Sequence, residues 1–268
     1  MDNYAGPGPV ARPVQVLPPR QLAGPWIAVT ALAAVAWAVT VTLDRHTGSG
    51  TGSMGLALLS FVGLWVVMMA AMMLPSVAPV AVLWTRLPGG ASARVGRVAR
   101  LGLFLCGYLL AWAGFGAVAF AVLAETGLLL AVSPVAAKPL GVAIFSAAGI
   151  YQLTSWKDRC LRRCRSPVGA LMYYLSFKGG GRDVRVGLRH GATCVGCCCG
   201  LMIVLVTVGV MNLAVMAALA VVIFVEKLWR YGRPFGQAVG LALVTAGVLA
   251  LWFPWLLPGL HATAMPVM

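Results

Sequence analysis

Three observations predict an all-α, polytopic membrane bundle of about seven transmembrane helices. Hydrophobic residues make up 61% of the 268 positions and the mean hydropathy is +0.92, whereas soluble domains are roughly 45–50% apolar. Runs of about 20 apolar residues recur, the length at which a helix crosses a bilayer with its backbone hydrogen bonds satisfied internally. Lys and Arg number 20 against 6 acidic residues, and they collect in alternate connections between the runs. With seven spans only Arg45 and Lys138 fall on one side and every other basic residue on the opposite one. The positive-inside rule then places the N-terminus and the long loops in the cytoplasm. Six spans are the alternative count.

Residues 1–24 are rich in Pro, Gly and Ala without apolar periodicity and are expected to form a disordered cytoplasmic tail. The first span covers 25–43. It leads into a Gly/Ser segment rather than a cleavage site, so it is read as retained. The second covers 54–84 and is expected to kink or break near Pro75 and Pro79. The third and fourth cover 101–123 and 135–154. A Cys/Arg-rich cytoplasmic loop at 156–190 follows, beginning with a helix that ends near Ser166 and later turning at Gly179-Gly180-Gly181. The apolar tract 191–225 is too long for one span and divides at Gly209 and Asn212 into a fifth helix and a short sixth. The seventh covers 235–257, completing a transmembrane domain over 25–257 with a short external tail at 258–268.

A net charge of +14 raises the question of nucleic acid, but no DNA- or RNA-reading motif accompanies it. The basic loops serve topology first and contact with anionic lipid second. The expected partners are the lipid bilayer and a metal ion, with no nucleic acid.

The metal expectation comes from clustering. Of seven cysteines, all but Cys106 lie between 160 and 199. On a helix, His190, Cys194, Cys197 and Cys198 share an arc of roughly 100°. Cys160 and Cys164 sit about 6 Å apart along a helix axis, and the arginines around them are expected to favour the metal-binding thiolate. The plain alternative is a pair of unrelated thiols in a charged surface segment. In the second span Met68/Met72 and Met69/Met73 form two i, i+4 pairs, readable as flexible core filler or as thioether ligands for Cu(I). Glu226, at the cytoplasmic boundary, is either an ion-pair partner of Lys227 or Arg230 or a ligand. Cys106 is expected to be a small buried hydrophobe.

The seven-span topology brings all these candidate ligands toward one membrane face. His190 to Cys198 covers about 12 Å, too far for a single ion unless the helix start unwinds, which leaves room for two sites or one site with a handover position. Thiolate, thioether and imidazole together favour Cu(I), with zinc as the alternative. Cys194-Val-Gly-Cys197 also has the redox Cys-x-x-Cys spacing, though without the soluble βαβ context of that motif.

The chain resembles the predicted metal-binding integral membrane proteins catalogued as domain of unknown function 2182. The resemblance rests on Trp65 with Met-Met-Ala-Ala-Met-Met-Leu-Pro-Ser76, Tyr151-Gln152, Lys157, Cys160-Leu-Arg-Arg-Cys164-Arg-Ser-Pro167, His190-Gly191, Cys194-Val-Gly-Cys-Cys198, Leu201-Met202, Met211-Asn212-Leu213, Met216 and Glu226-Lys227. It covers roughly 60–230. Cys199 departs from it, standing where the family prefers Trp. The resemblance implies metal binding, and some members are labelled copper chaperones.

Three functional readings follow. The first is a Cu(I)-binding membrane protein that accepts or delivers copper, with Cys160 and Cys164 as capture pair and Cys194, Cys197 and Cys198 as seat. Met68, Met69, Met72 and Met73 then form a thioether path, His190 and Glu226 are auxiliary ligands, and a copper-receiving protein is the partner. The second is a membrane thiol oxidoreductase using Cys194 and Cys197. The third is an assembly protein with structural zinc, without catalysis.

Overall fold

The structure, a computed structural model, describes residues 19–47, 56–86, 94–177, 179–209 and 212–252. The expected external tail at 258–268 and residues 1–18 of the expected N-terminal tail lie outside the described residues. Among those described the chain is all-helical: α1 (Pro19–Thr47), α2 (Leu58–Arg86), α3 (Arg94–Val132), a 3-10 turn (Pro134–Ala136), α4 (Ala137–Leu153), α5 (Ser155–Arg165), α6 (Pro167–Tyr174), α7 (Arg182–Val208), α8 (Leu213–Leu228) and α9 (Gly232–Leu249). Four helices, α1, α2, α3 and α7, are long and apolar enough to cross a membrane. The chain is a multi-pass membrane protein by that measure.

Several boundaries differ from those read in the sequence. Residues 19–24 are helical rather than part of a tail; a proline in a first turn breaks no helical hydrogen bond. α2 runs unbroken through Pro75 and Pro79, although each proline removes one backbone bond. The Ser76 hydroxyl donates to the Met73 carbonyl at 2.8 Å in that stretch, and Met73, Leu74, Val77 and Ala78 are buried around it. The segment at 156–190 is mostly ordered helix: α5, α6 and the first turns of α7. Among its described residues the break at Ser166 and the stretch 175–177 are irregular, as is the glycine turn, with Gly179 and Gly181 at φ of 88° and 68°, where other residues are disfavoured.

The break between α7 and α8 falls where Gly209 and Asn212 indicate. Asn212 caps α8, its side-chain oxygen accepting from the Val215 N–H at 3.1 Å.

Glycine sets the tightest helix crossing. A Cβ on Gly107 would collide with the Val184 carbonyl, and one on Gly187 with the Phe104 carbonyl, so α3 and α7 touch backbone to backbone as small residues permit in membranes. Beyond that crossing, Asp183 ties three helices. It accepts from Trp84 Nε1 of α2 at 2.7 Å and from Arg100 Nε of α3 at 3.3 Å.

α5 is tied to α8, to α9 and to the connection between them. Thr154 caps its start, the hydroxyl accepting from the Lys157 N–H at 3.3 Å. Asp158 pairs with Arg233 of α9 at 2.8 Å, and Arg165 donates to the Trp229 carbonyl, just after α8, at 2.5 Å. This placement carries α5's cysteines to α7.

Candidate metal centre

The sequence of α5, Ser-Trp-Lys-Asp-Arg-Cys-Leu-Arg-Arg-Cys-Arg, is strongly two-faced. Lys157 and Leu161 are buried and Arg159, Arg162 and Arg163 exposed. Cys164, one turn beyond Leu161, continues the inward side. Its Sγ lies 3.7 Å from Cys197 Sγ of α7. Cys197 and Cys198 stand 3.3 Å apart, and Cys194, Cys197 and Cys198 are buried with their sulfurs all within 4.8 Å of one another. A metal–sulfur bond of about 2.3 Å lets one ion join sulfurs up to roughly 4.6 Å apart. The trio can therefore close on a single ion with small side-chain shifts, and Cys164 is placed to join it.

Gly196 permits this approach, since a Cβ there would sit 3.0 Å from Cys160 Sγ. The Tyr151 hydroxyl donates to the Gly196 carbonyl, pinning α4 to the same turn.

Cys194 is also contacted from two further helices. Tyr108 OH of α3 lies 3.1 Å from its sulfur, and Lys227 Nζ of α8 lies 3.1 Å away. The same ammonium donates to Ser76 Oγ at 3.1 Å and reaches Met73 Sδ at 3.9 Å. Helices α3 and α8 thus meet the α7 sulfur directly, and α2 reaches it through Lys227. Neither Lys227, Ser76 nor Tyr108 was singled out as a site residue from sequence; the signal available was Lys227 itself, a cation beside the boundary carboxylate.

The remaining candidates have different surroundings. His190 is buried among Phe104, Tyr108 and Tyr174, with its Nδ1 3.1 Å from the Tyr174 hydroxyl. Glu226 is paired with neither Lys227 nor Arg230. Its oxygens accept from Lys157 Nζ at 2.7 and 2.8 Å and from Gln152 Nε2 at 3.1 Å, all in the interior. Met68, Met69, Met72 and Met73 are all buried, and Met73 is the one in contact with Lys227. Cys160 and Cys164 do not form one unit: Cys164 enters the thiol cluster, whereas Cys160 stays half-buried over Gly196. Cys199 is half-buried, its Sγ turned to the Gly196 carbonyl at 3.9 Å. Cys106 is exposed on α3 rather than buried.

The arginines around Cys160 and Cys164 do not bring either thiol below its ordinary pKa. Burial pushes Cys160 up, outweighing Arg163 and Arg159. A hydrogen bond with Cys194, together with burial, pushes Cys164 up. The guanidiniums point outward into water, where their field is screened, while the sulfurs face the protein interior.

This arrangement of soft donors fits copper handling, and comparison with known families agrees with it. Residues 62–250 match the PpoB2 family, described as copper chaperone. The chain belongs to the PpoB2 family. The PpoB2 match runs from the first turns of α2 through α9, and so includes every contact of the thiol cluster. No curated protein and no solved structure matches the chain.

Proposed function

We propose that the protein takes up Cu(I) at the cytoplasmic face of the bacterial plasma membrane and hands it to a copper-receiving protein. The observation that carries this reading is that Cys164 of α5 joins Cys194, Cys197 and Cys198 of α7, four thiols drawn from two separate segments. Thiolates with a thioether nearby favour Cu(I), and zinc follows second. Copper is the cargo.

Cys194, Cys197 and Cys198 form the seat, Cys164 closes it from α5, and Cys160 at the rim is the capture thiol. Met73, with Met68, Met69 and Met72 behind it, provides thioethers leading into the bundle. His190 and Glu226, held by Tyr174 and by Lys157, orient the helices around the seat rather than bind the ion. Transfer proceeds by thiolate exchange. One copper–sulfur bond forms as another breaks, the proton of the incoming thiol passes to the departing thiolate, and copper stays Cu(I). The shorter helices α4, α8 and α9 complete a seven-span topology whose basic loops face the reducing cytoplasm, which keeps thiols available for metal.

The test is elemental analysis of anaerobically purified protein beside the variant Cys194→Ser/Cys197→Ser/Cys198→Ser. About one or two equivalents of copper, absent from the variant, support the proposal. Zinc at that stoichiometry replaces it with a structural zinc site. Metal-free protein with free thiols in both samples rejects metal handling and leaves thiol redox chemistry.

A further inference from the structure

The outward face of α5 has a chemistry the thiol cluster does not use. Arg159, Arg162 and Arg163 line an open groove of about 380 Å³ together with Ser166, Gly169 and Ala170 at the start of α6. Among the described residues none of these three guanidiniums has a carboxylate partner, and Asp158, the acid of the same helix, is taken by Arg233. Arg159 and Arg163 instead lie over the rings of Trp156 and Tyr173 at 5.5 and 5.8 Å.

A second observation concerns α6. It leaves Val168, Met172 and Tyr173 exposed, with Leu175 just beyond it, at 64%, 68%, 48% and 41%. These apolar groups lie on the same short segment as the groove-lining Gly169 and Ala170, and Tyr173 lies under Arg163. The third is position. α5 begins two residues after the apolar helix α4 ends and is tied to the α8–α9 connection through Trp229 and Arg233. Trp156 on α5 and Trp229 and Tyr231 in the α8–α9 connection are exposed, the aromatic types that sit at headgroup level.

We infer that the α5–α6 corner binds the headgroup phosphate of an anionic phospholipid. Three guanidiniums offer forked donors matched to phosphate oxygens, and the apolar residues of α6 lie against the acyl region beside it. An acidic soluble protein would leave that apolar set in water, so lipid satisfies both halves of the surface. Because α5 also carries Cys160 and Cys164, a lipid in the groove steadies the helix that closes the thiol cluster. The inference does not depend on copper.

The experiment titrates purified metal-free protein in neutral detergent with short-chain phosphatidylglycerol, phosphatidylcholine or inorganic phosphate and follows the melting temperature. The wild type is expected to be stabilised saturably by phosphatidylglycerol and far less by the other two. The variant Arg159→Gln/Arg162→Gln/Arg163→Gln should require roughly a hundredfold more phosphatidylglycerol, at about a fivefold loss for each basic residue near a membrane surface. Arg45→Gln, on a different helix, should behave as wild type. Should the triple variant fail to fold, Arg162→Gln alone is expected to show the fivefold loss. Equal stabilisation by phosphatidylglycerol and phosphatidylcholine overturns the inference, as does an unchanged response in the arginine variants. A matching effect of inorganic phosphate also overturns it, because it would mark a free-anion site.

Discussion

Lys227 Nζ stands 3.1 Å from Cys194 Sγ, so a buried ammonium lies against the thiol cluster. A single Cu(I) held by two thiolates is an anionic unit, and burying a charge is costly unless it is compensated. On the proposed Cu(I) reading, Lys227 supplies that compensation. Lys227→Met is expected to weaken Cu(I) binding about tenfold or more, within the range for losing a charge-assisted contact, while Lys227→Arg keeps part of it. Competition against a Cu(I) chelator measures this, and equal affinity in wild type and Lys227→Met would sink the assigned role.

Cys164 and Cys160 share a helix but not an environment. Cys164→Ser should lower equilibrium Cu(I) affinity about tenfold or more, since it removes a sulfur 3.7 Å from Cys197. Cys160→Ser should leave that affinity nearly intact and slow metal uptake. The same competition assay, run to equilibrium and then as a time course, separates the two. An affinity loss in Cys160→Ser equal to that in Cys164→Ser would show that the helix presents both thiols to the ion.

The Lys157–Glu226 pair, at 2.7 Å with both side chains almost wholly buried, joins α5 to α8. Removing one partner strands the other charge in the interior, at a cost of about 3–5 kcal/mol. Glu226→Gln and Lys157→Met should each lower the melting temperature by several degrees, and the double substitution should cost less than the two single ones combined. Additive losses would mean the pair is not coupled.

The raised thiol pKa of Cys160 and of Cys164 has a defined pH signature. Their folded values lie above the ordinary 9.0, so above that pH the unfolded chain releases thiol protons that the native chain still holds. Native stability is therefore independent of these groups below about pH 9 and falls as pH rises from there toward the folded values. Maleimide labelling of a Cys160-only variant should show a midpoint above that of the same protein unfolded in denaturant. A midpoint at or below the unfolded one would contradict the burial argument.

Gly187→Ala places a methyl against the Phe104 carbonyl, whereas Gly102→Ala meets nothing within 4 Å. Overpacking of this kind costs typically 1–3 kcal/mol, so the first variant should melt several degrees lower and the second should be silent or slightly stabilised. Thermal melts in detergent distinguish them, and indistinguishable curves would rule out the tight α3–α7 crossing.

Composition and apolar run length by themselves determined an all-helical membrane chain, and the turn residues Gly209 and Asn212 determined where α7 gives way to α8. The spacing of Cys194, Cys197 and Cys198 likewise determined one thiol stripe. These are local properties, readable from helical periodicity because the residues concerned lie within a few turns of each other. Only the tertiary structure decided that Cys164 joins the stripe while Cys160 stays at its rim, that Glu226 answers Lys157 instead of its neighbour Lys227, and that Lys227 turns to Cys194. Those pairings join residues 33 and 69 positions apart. Which side chains meet at such separations depends on helix crossings set by glycine contacts and buried charge, and periodicity along one helix carries no information about which neighbour it faces.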